Sequence, residues 1–374
     1  MARKQPRVGI ALDSGGAIGG AHIGVLEVLA ENGIPLDIIV GSSAGAAIGA
    51  FFAASKLVSF KKLITDLSFI ESLSYYVDPV FPMAGLLAGS RARKFIRGLV
   101  GDTLIEDLPL KFVAVATDLL TGETVAIDHG PLADALMASI SMPGIFKPVV
   151  HQGRLLTDGG VSNPLPLDVL KSFSPDITVA CNLHPRISSR FTSAKRRDII
   201  QAEQKALSGE EEDLASWIID RIIGLLVSQK IMDGLKPLTR GLFKKINASR
   251  TNPKAEIYLA RVLKEQLMQS KDKLGALIAR GFSKKRPHDI LNIFEILATA
   301  TNIQQYQKNR LMLLHEPPDV LIEPNVTGIS SIEFTKSAWT IDEGRKKTLE
   351  AIPKIRKLIK EKKKAISRGG GSPS

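Results

Sequence analysis

The chain is short of the residues that several kinds of chemistry need. Its one cysteine, Cys181, allows no intrachain disulfide and no cysteine-built metal cluster, which suits a reducing compartment. Aromatic side chains make up only 5% of the residues, leaving few platforms for base stacking, so no nucleic acid is expected as partner. The longest uncharged stretch, 38–55, reaches the length of a membrane span, but Gly41, Gly45 and Gly49 with Ser42, Ser43 and Ser55 interrupt it. It reads as core. The basic start runs into a strand-like segment and not into an apolar region with a cleavage site, so no signal peptide is expected. The glycine loop at 13–20 contains neither G-x-x-x-x-G-K-[ST] nor G-x-G-x-x-G, which excludes a regular nucleotide site there. No internal repeat is visible.

What is present is an ordinary globular composition with length enough for a sizeable core, as one large α/β domain with an insertion or as two domains. The net charge of +12 is regional. Residues 1–185 carry 14 Lys and Arg against 17 Asp and Glu, and residues 291–344 carry 3 against 7. By contrast residues 186–290 carry 22 against 12, and residues 345–374 carry 11 against 2. A near-neutral body with a basic middle and a basic end suits an anionic partner, a membrane surface before a nucleic acid.

Short aliphatic runs at 8–12 and 36–40, each followed by a glycine-containing turn and a helical pattern, open the chain as two successive strand–helix units. Further strands are expected at 111–117, 123–127, 154–157 and 176–181, with a helix at 132–139. The alternation predicts a mostly parallel sheet covered on both faces. From 185 to 290 the pattern becomes helical and charge-rich, as expected of an insertion. A strand at 319–322 and a basic amphipathic helix at 342–366, with Pro353 as a possible kink, return to the sheet. The division expected is 6–185 as catalytic core, 186–308 as a helix-rich insertion, 309–366 as the return to the core and 367–374 as a flexible end.

Gly41-Ser42-Ser43-Ala44-Gly45 is a G-x-S-x-G between an apolar run and a small-residue helix, the setting a nucleophile elbow requires. Small neighbours avoid collision where the backbone doubles back, and the helix N-terminus favours developing negative charge. The loop Asp13-Ser14-Gly15-Gly16-Ala17-Ile18-Gly19-Gly20 can turn N–H groups toward an anion at the end of the first strand. A serine also needs a base. Of the six histidines, His315 falls where an α/β-hydrolase order would place one, while Asp158 in Thr157-Asp158-Gly159-Gly160 is the competing carboxylate.

Together with Ala21-His22-Ile23-Gly24-Val25-Leu26, Ala116-Thr117-Asp118, Ala138-Ser139-Ile140-Ser141-Met142-Pro143-Gly144 and Gly160-Val161-Ser162-Asn163-Pro164, these segments resemble, in order, the patatin-like phospholipase family. The resemblance covers 6–185 and resumes at 309–344, where Pro317-Pro318-Asp319-Val320-Leu321-Ile322 looks like a closing strand. It implies a three-layer α/β/α fold and a hydrolase of lipid acyl esters working without a metal or other cofactor. In it Ser43 would be the nucleophile, Asp158 its base, and the N–H groups of Gly15, Gly16 and Ala17 the oxyanion hole. The sequence departs from the family loop, usually Gly-Gly-Gly-x-Arg-Gly, at two positions: Ser14 replaces the first glycine and Ile18 the arginine. The rival readings are a catalytically weak lipid-binding or regulatory protein of this fold and a histidine-dependent α/β-hydrolase. A cytoplasmic protein, peripheral to an anionic membrane through the segment 214–245 and the basic C-terminal helix, is expected.

Overall fold

The computed structural model describes residues 5–66, 87–184, 200, 201, 293–329, 331 and 333–369. Apart from residues 200 and 201, these belong to one compact unit built from 1–190 and 293–374. The segment 214–245 lies outside the described residues. In chain order, β1 (Val8–Leu12) leads through a short 3-10 helix (Gly16–Gly19) into α1 (Gly20–Glu31), and β2 (Ile38–Ser42) into α2 (Ala44–Ala53). Next come α3 (Leu57–Asp66), α4 (Ser90–Val100), β3 (Lys111–Asp118), β4 (Thr124–Ile127) and α5 (Leu132–Ser139). Then follow β5 (Val149–His151), β6 (Arg154–Asp158), α6 (Leu167–Ser172), β7 (Ile177–Cys181), α7 (Ile293–His315), β8 (Val320–Ile322) and α8 (Ser337–Gly369).

The strands form one mixed sheet in the order β5-β6-β3-β2-β1-β7-β8, with β4 also on β3. The five strands β3, β2, β1, β7 and β8 are parallel, while β4 and β6 run antiparallel to β3, and β5 antiparallel to β6. Strands β1, β2 and β7 are buried along their whole length, which is why they read as continuous apolar runs. Successive side chains divide between two cores: Phe112, Ala114 and Ala116 of β3 pack on one face, Val113 and Val115 on the other. The first core also takes α1, α2, α5 and α8; the second takes α6 and α7. This is the three-layer α/β/α arrangement that the alternation of elements predicts.

One register decides where the ends of the strands fall. β2 pairs with β3 from Lys111 to Val115, and β6 pairs with β3 from Ala116 to Asp118. β4 overlaps both stretches, from Ala114 to Thr117, so it must lie on the opposite edge. β2 and β6 therefore run toward each other along a single edge of β3. Ser42 pairs with Val115 and Asp158 with Ala116, so the two strands end head to head.

α8 lies along α1. A Cβ on Gly24 would collide with the Ile341 carbonyl, and one on Gly344 with the Ala21 carbonyl, so the backbones meet at reciprocal glycines. Arg345 pairs with Glu27 and Glu31 across the same contact, and Arg356 donates to the carbonyl and side chain of Asn32 at the C-terminal end of α1. The helix runs on through Pro353, burying Ile352 and Ile355 while Lys354, Arg356, Lys357, Lys360, Lys362, Lys363 and Lys364 face outward. Among the described residues, no helix is long and apolar enough to cross a membrane.

Candidate active site

The turn after β2 is as tight as the sequence pattern requires. A Cβ on Gly41 would meet the backbone of Gly45 and Ala46, and one on Gly45 would meet the carbonyls of Leu12 and Asp13. Between them Ser43 sits at φ 52° and ψ −116°, a conformation that costs a non-glycine residue on the order of 1–3 kcal/mol. That cost is offset locally. The Ser43 N–H donates to Ser139 Oγ at 3.0 Å, and Ser139 donates in turn to the Val115 carbonyl at 2.6 Å. Ser43 caps the N-terminus of α2, so its Oγ stands where the helix dipole favours negative charge.

The head-to-head ending of β2 and β6 brings Asp158 to this hydroxyl. Ser43 Oγ donates to Asp158 Oδ2 at 2.6 Å, and the other carboxylate oxygen accepts the Gly160 N–H at 2.7 Å. The backbone of Asp158 is held as well: its N–H donates to the Ser141 carbonyl, and its own carbonyl accepts from Thr117 Oγ1. Only 4% of Asp158 is exposed. Burial pushes its pKa up to about 6, with the Ser43 hydroxyl and Gly160 N–H pulling back.

The glycine loop lies beside this pair. Ser14 is 1% exposed, its N–H donates to the Pro164 carbonyl at 2.9 Å, and it packs against Gly160. Gly15 and Gly16 follow at φ 155° and φ 56°. The Ala17 N–H donates to the Ser331 carbonyl at 2.7 Å. Ile18 is buried in the first core, 5% exposed, and packs beneath Gly15.

Helix α7 closes the other side with residues the sequence did not single out. Gln304 and Lys308 donate to the Val161 carbonyl, Lys308 also to that of Ser162, and Gln305 packs on Gly160. Burial holds the Lys308 pKa below its usual value. No local spacing marks these residues, because their partners lie more than a hundred positions away. His315 is exposed in the last turn of α7. The buried histidines belong instead to Asp13: His184 Nδ1 lies 2.8 Å from its carboxylate, and His22 Nε2 lies 2.8 Å from its carbonyl. Burial lowers the His22 pKa to about 4. Among the described residues, no three or more His, Cys, Asp or Glu are grouped to hold a metal ion.

Comparison with known proteins finds similarity over the first half of the chain. Residues 10–171 match the family model described as Patatin-like phospholipase. The chain is 42% identical over 179 residues to an uncharacterized NTE family protein of Mycobacterium tuberculosis, covering 48% of this chain and 49% of that protein. It is 33% identical over 193 residues to patatin-like phospholipase domain-containing protein 7 of Rattus norvegicus, covering 50% of this chain and 14% of that protein. A patatin-like phospholipase domain-containing protein of Caenorhabditis elegans is 33% identical over 181 residues, covering 47% of this chain and 13% of that one. The chain thus spans about half the length of its mycobacterial relative and a smaller share of the other two. The family match falls on the strands, glycine loop and serine turn just described, so residues 10–171 are what this chain shares with patatin-like phospholipases.

Proposed function

We propose that the chain is a serine hydrolase of fatty acyl esters, of phospholipase, lysophospholipase or esterase type, in which Ser43 and Asp158 form a catalytic dyad. The observation that carries this reading is the 2.6 Å hydrogen bond from Ser43 Oγ to a buried carboxylate at the head of α2. Asp158 takes the proton as Oγ attacks the acyl carbon. The carbonyl oxygen becomes an oxyanion facing the N–H groups of Gly15 and Gly16, with Ala17 joining once its bond to the Ser331 carbonyl is exchanged. Asp158 then returns the proton to the departing alkoxide. Water, deprotonated by the same carboxylate, releases the fatty acid and restores Ser43. A carboxylate with a pKa near 6 is a better proton acceptor at neutral pH than an ordinary aspartate. The enzyme works in the cytoplasm at an anionic membrane surface, which the outward lysines of α8 favour.

Hydrolysis of a p-nitrophenyl acyl ester tests the reading. Ser43→Ala and Asp158→Asn should each lower kcat by about a thousandfold or more, with the double variant scarcely worse, because the two act as a unit. His315→Ala should stay near the wild-type rate. A rate lost on His315→Ala and retained on Asp158→Asn would establish the histidine-dependent alternative. A wild type no faster than Ser43→Ala would establish the lipid-binding one.

A further inference from the structure

Gly15 and Gly16 give the loop backbone freedom but no conformational preference of its own, so its N–H groups point where neighbouring residues direct them. The Ile18 side chain supplies packing and no hydrogen bond. The fixed point is Asp13, where β1 ends and the loop begins, and it is fully buried. A buried carboxylate is costly unless several donors satisfy it. Here one oxygen, Oδ2, receives three: the Leu183 N–H at 2.8 Å, His184 Nδ1 at 2.8 Å and Asn309 Nδ2 at 2.9 Å. The backbone of Asp13 is fixed too, its N–H by the Cys181 carbonyl and its own carbonyl by His22 Nε2. Asn309 also donates to Asn182 Oδ1, and Asn182 to Glu323, so the brace reaches from β7 and α7 to the end of β8.

His184 and Asn309 are 6% and 1% exposed. Their remaining polar atoms, His184 Nε2 and Asn309 Oδ1, have no protein partner among the described residues. A buried polar atom left unpaired costs about 1–3 kcal/mol, so neither side chain is accounted for by stability alone. What both do is hold Asp13.

We propose that His184 and Asn309 are positioning residues that act through the Asp13 carboxylate to aim the N–H groups of the glycine loop at the reacting carbonyl. The inference rests on reading that loop as the oxyanion hole. It separates two roles that a histidine close to a serine turn would otherwise confuse: His184 orients the loop and takes no proton from Ser43.

The test uses the full chain, p-nitrophenyl butyrate and a trifluoromethyl ketone that forms a tetrahedral adduct with a serine. His184→Leu and Asn309→Leu should each lower kcat by about 10- to 100-fold, since oxyanion stabilisation is what is lost, with KM within about twofold of wild type. Affinity for the ketone should fall by the same factor as kcat/KM. His184→Asn, whose amide can donate from nearly the place of Nδ1, should recover most of the rate. Rates within twofold of wild type in both leucine variants would overturn the inference. So would a ketone affinity that stays constant while kcat falls, or an asparagine variant as slow as the leucine one. If one leucine variant fails to fold, the other and His184→Asn still decide. Labelling of Ser43 by a fluorophosphonate, read by mass spectrometry, checks the underlying reading separately: wild type unlabelled would sink the serine mechanism itself, whatever the His184 variants do.

Discussion

A carboxylate can serve Ser43 as base only when ionised, and burial works against that. With the Asp158 pKa at about 6, the hydrolytic rate should climb between roughly pH 5 and 7 and level off above, with a midpoint near 6. A profile already flat at pH 5 would assign the base elsewhere. The same burial has a cost in folding with a definite sign. Between the ordinary value of 3.8 and about 6 the native state holds a proton that the unfolded chain has released, so stability falls as pH rises through this window. Asp158→Asn removes that fall. Urea denaturation should find the variant more stable than wild type at pH 8, by up to about 3 kcal/mol, and close to wild type near pH 4. Ile18 raises a different question, because an arginine is usual at its position in the family. Its side chain is packed in the first core, so Ile18→Arg would bury an unpaired guanidinium and should cost about 3 kcal/mol or more in thermal or urea unfolding, with activity falling alongside. A faster, equally stable variant would show that the side chain can swing out toward the loop. Ser43 and Asp158 were legible because small residues crowd each of them in the sequence. Ser139, His184, Gln305 and Asn309 were not, since a polar side chain whose partner is supplied by a distant element leaves no local spacing to read.

Element boundaries were legible where burial and periodicity coincide. The helix expected at 132–139 is α5, and the strands at 8–12, 111–117 and 154–157 are found to within a residue. α3, α4, α6 and β5 have no counterpart among the expected elements, and α7 begins inside the segment expected as insertion. α7 shows why. Its inner side presents Gln305, Lys308 and Asn309 to the site, while Ile296, Leu297, Ile303, Leu311 and Leu314 are exposed, so its apolar spacing does not mark a core face. The contact of α1 with α8 escaped for a related reason: it is made by what Gly24 and Gly344 lack. Either substitution, Gly24→Ala or Gly344→Ala, puts a methyl group against the facing backbone carbonyl and should force the helices apart. Each should lower stability by about 1–3 kcal/mol in chemical unfolding, despite alanine's better helix propensity. An unchanged or raised midpoint would mean that the helices slide past each other freely.

Across the whole molecule, the basic end of α8 is the charged surface that can be tested directly. Removing the chain after Ala351 would also delete Ile352 and Ile355, which are buried, so charge reversal is the cleaner experiment. Replacing Lys360, Lys362, Lys363 and Lys364 by Glu should weaken sedimentation with anionic vesicles, at about 1 kcal/mol per basic residue engaged, and leave the melting temperature nearly unchanged. Binding by wild type should rise with the anionic lipid fraction and fall with salt; equal binding to neutral vesicles would remove the membrane from the account. The way Ser43 and Asp158 are brought together has a consequence of another kind. Ser43 and Asp158 are 115 residues apart in sequence, yet what separates them in space is the step from Val115 to Ala116 on β3. β3 is thus the gauge of the proposed active centre. One residue inserted at that step would carry Asp158 away by about 3.3 Å and turn alternate side chains to the wrong layer. The turn at 119–123 and the segment at 142–148 lie off this gauge. They can lengthen, shorten or change character while Ser43 and Asp158 keep their distance, so a hydrolase on this fold would be free to acquire new substrates by altering its loops while one strand keeps its length.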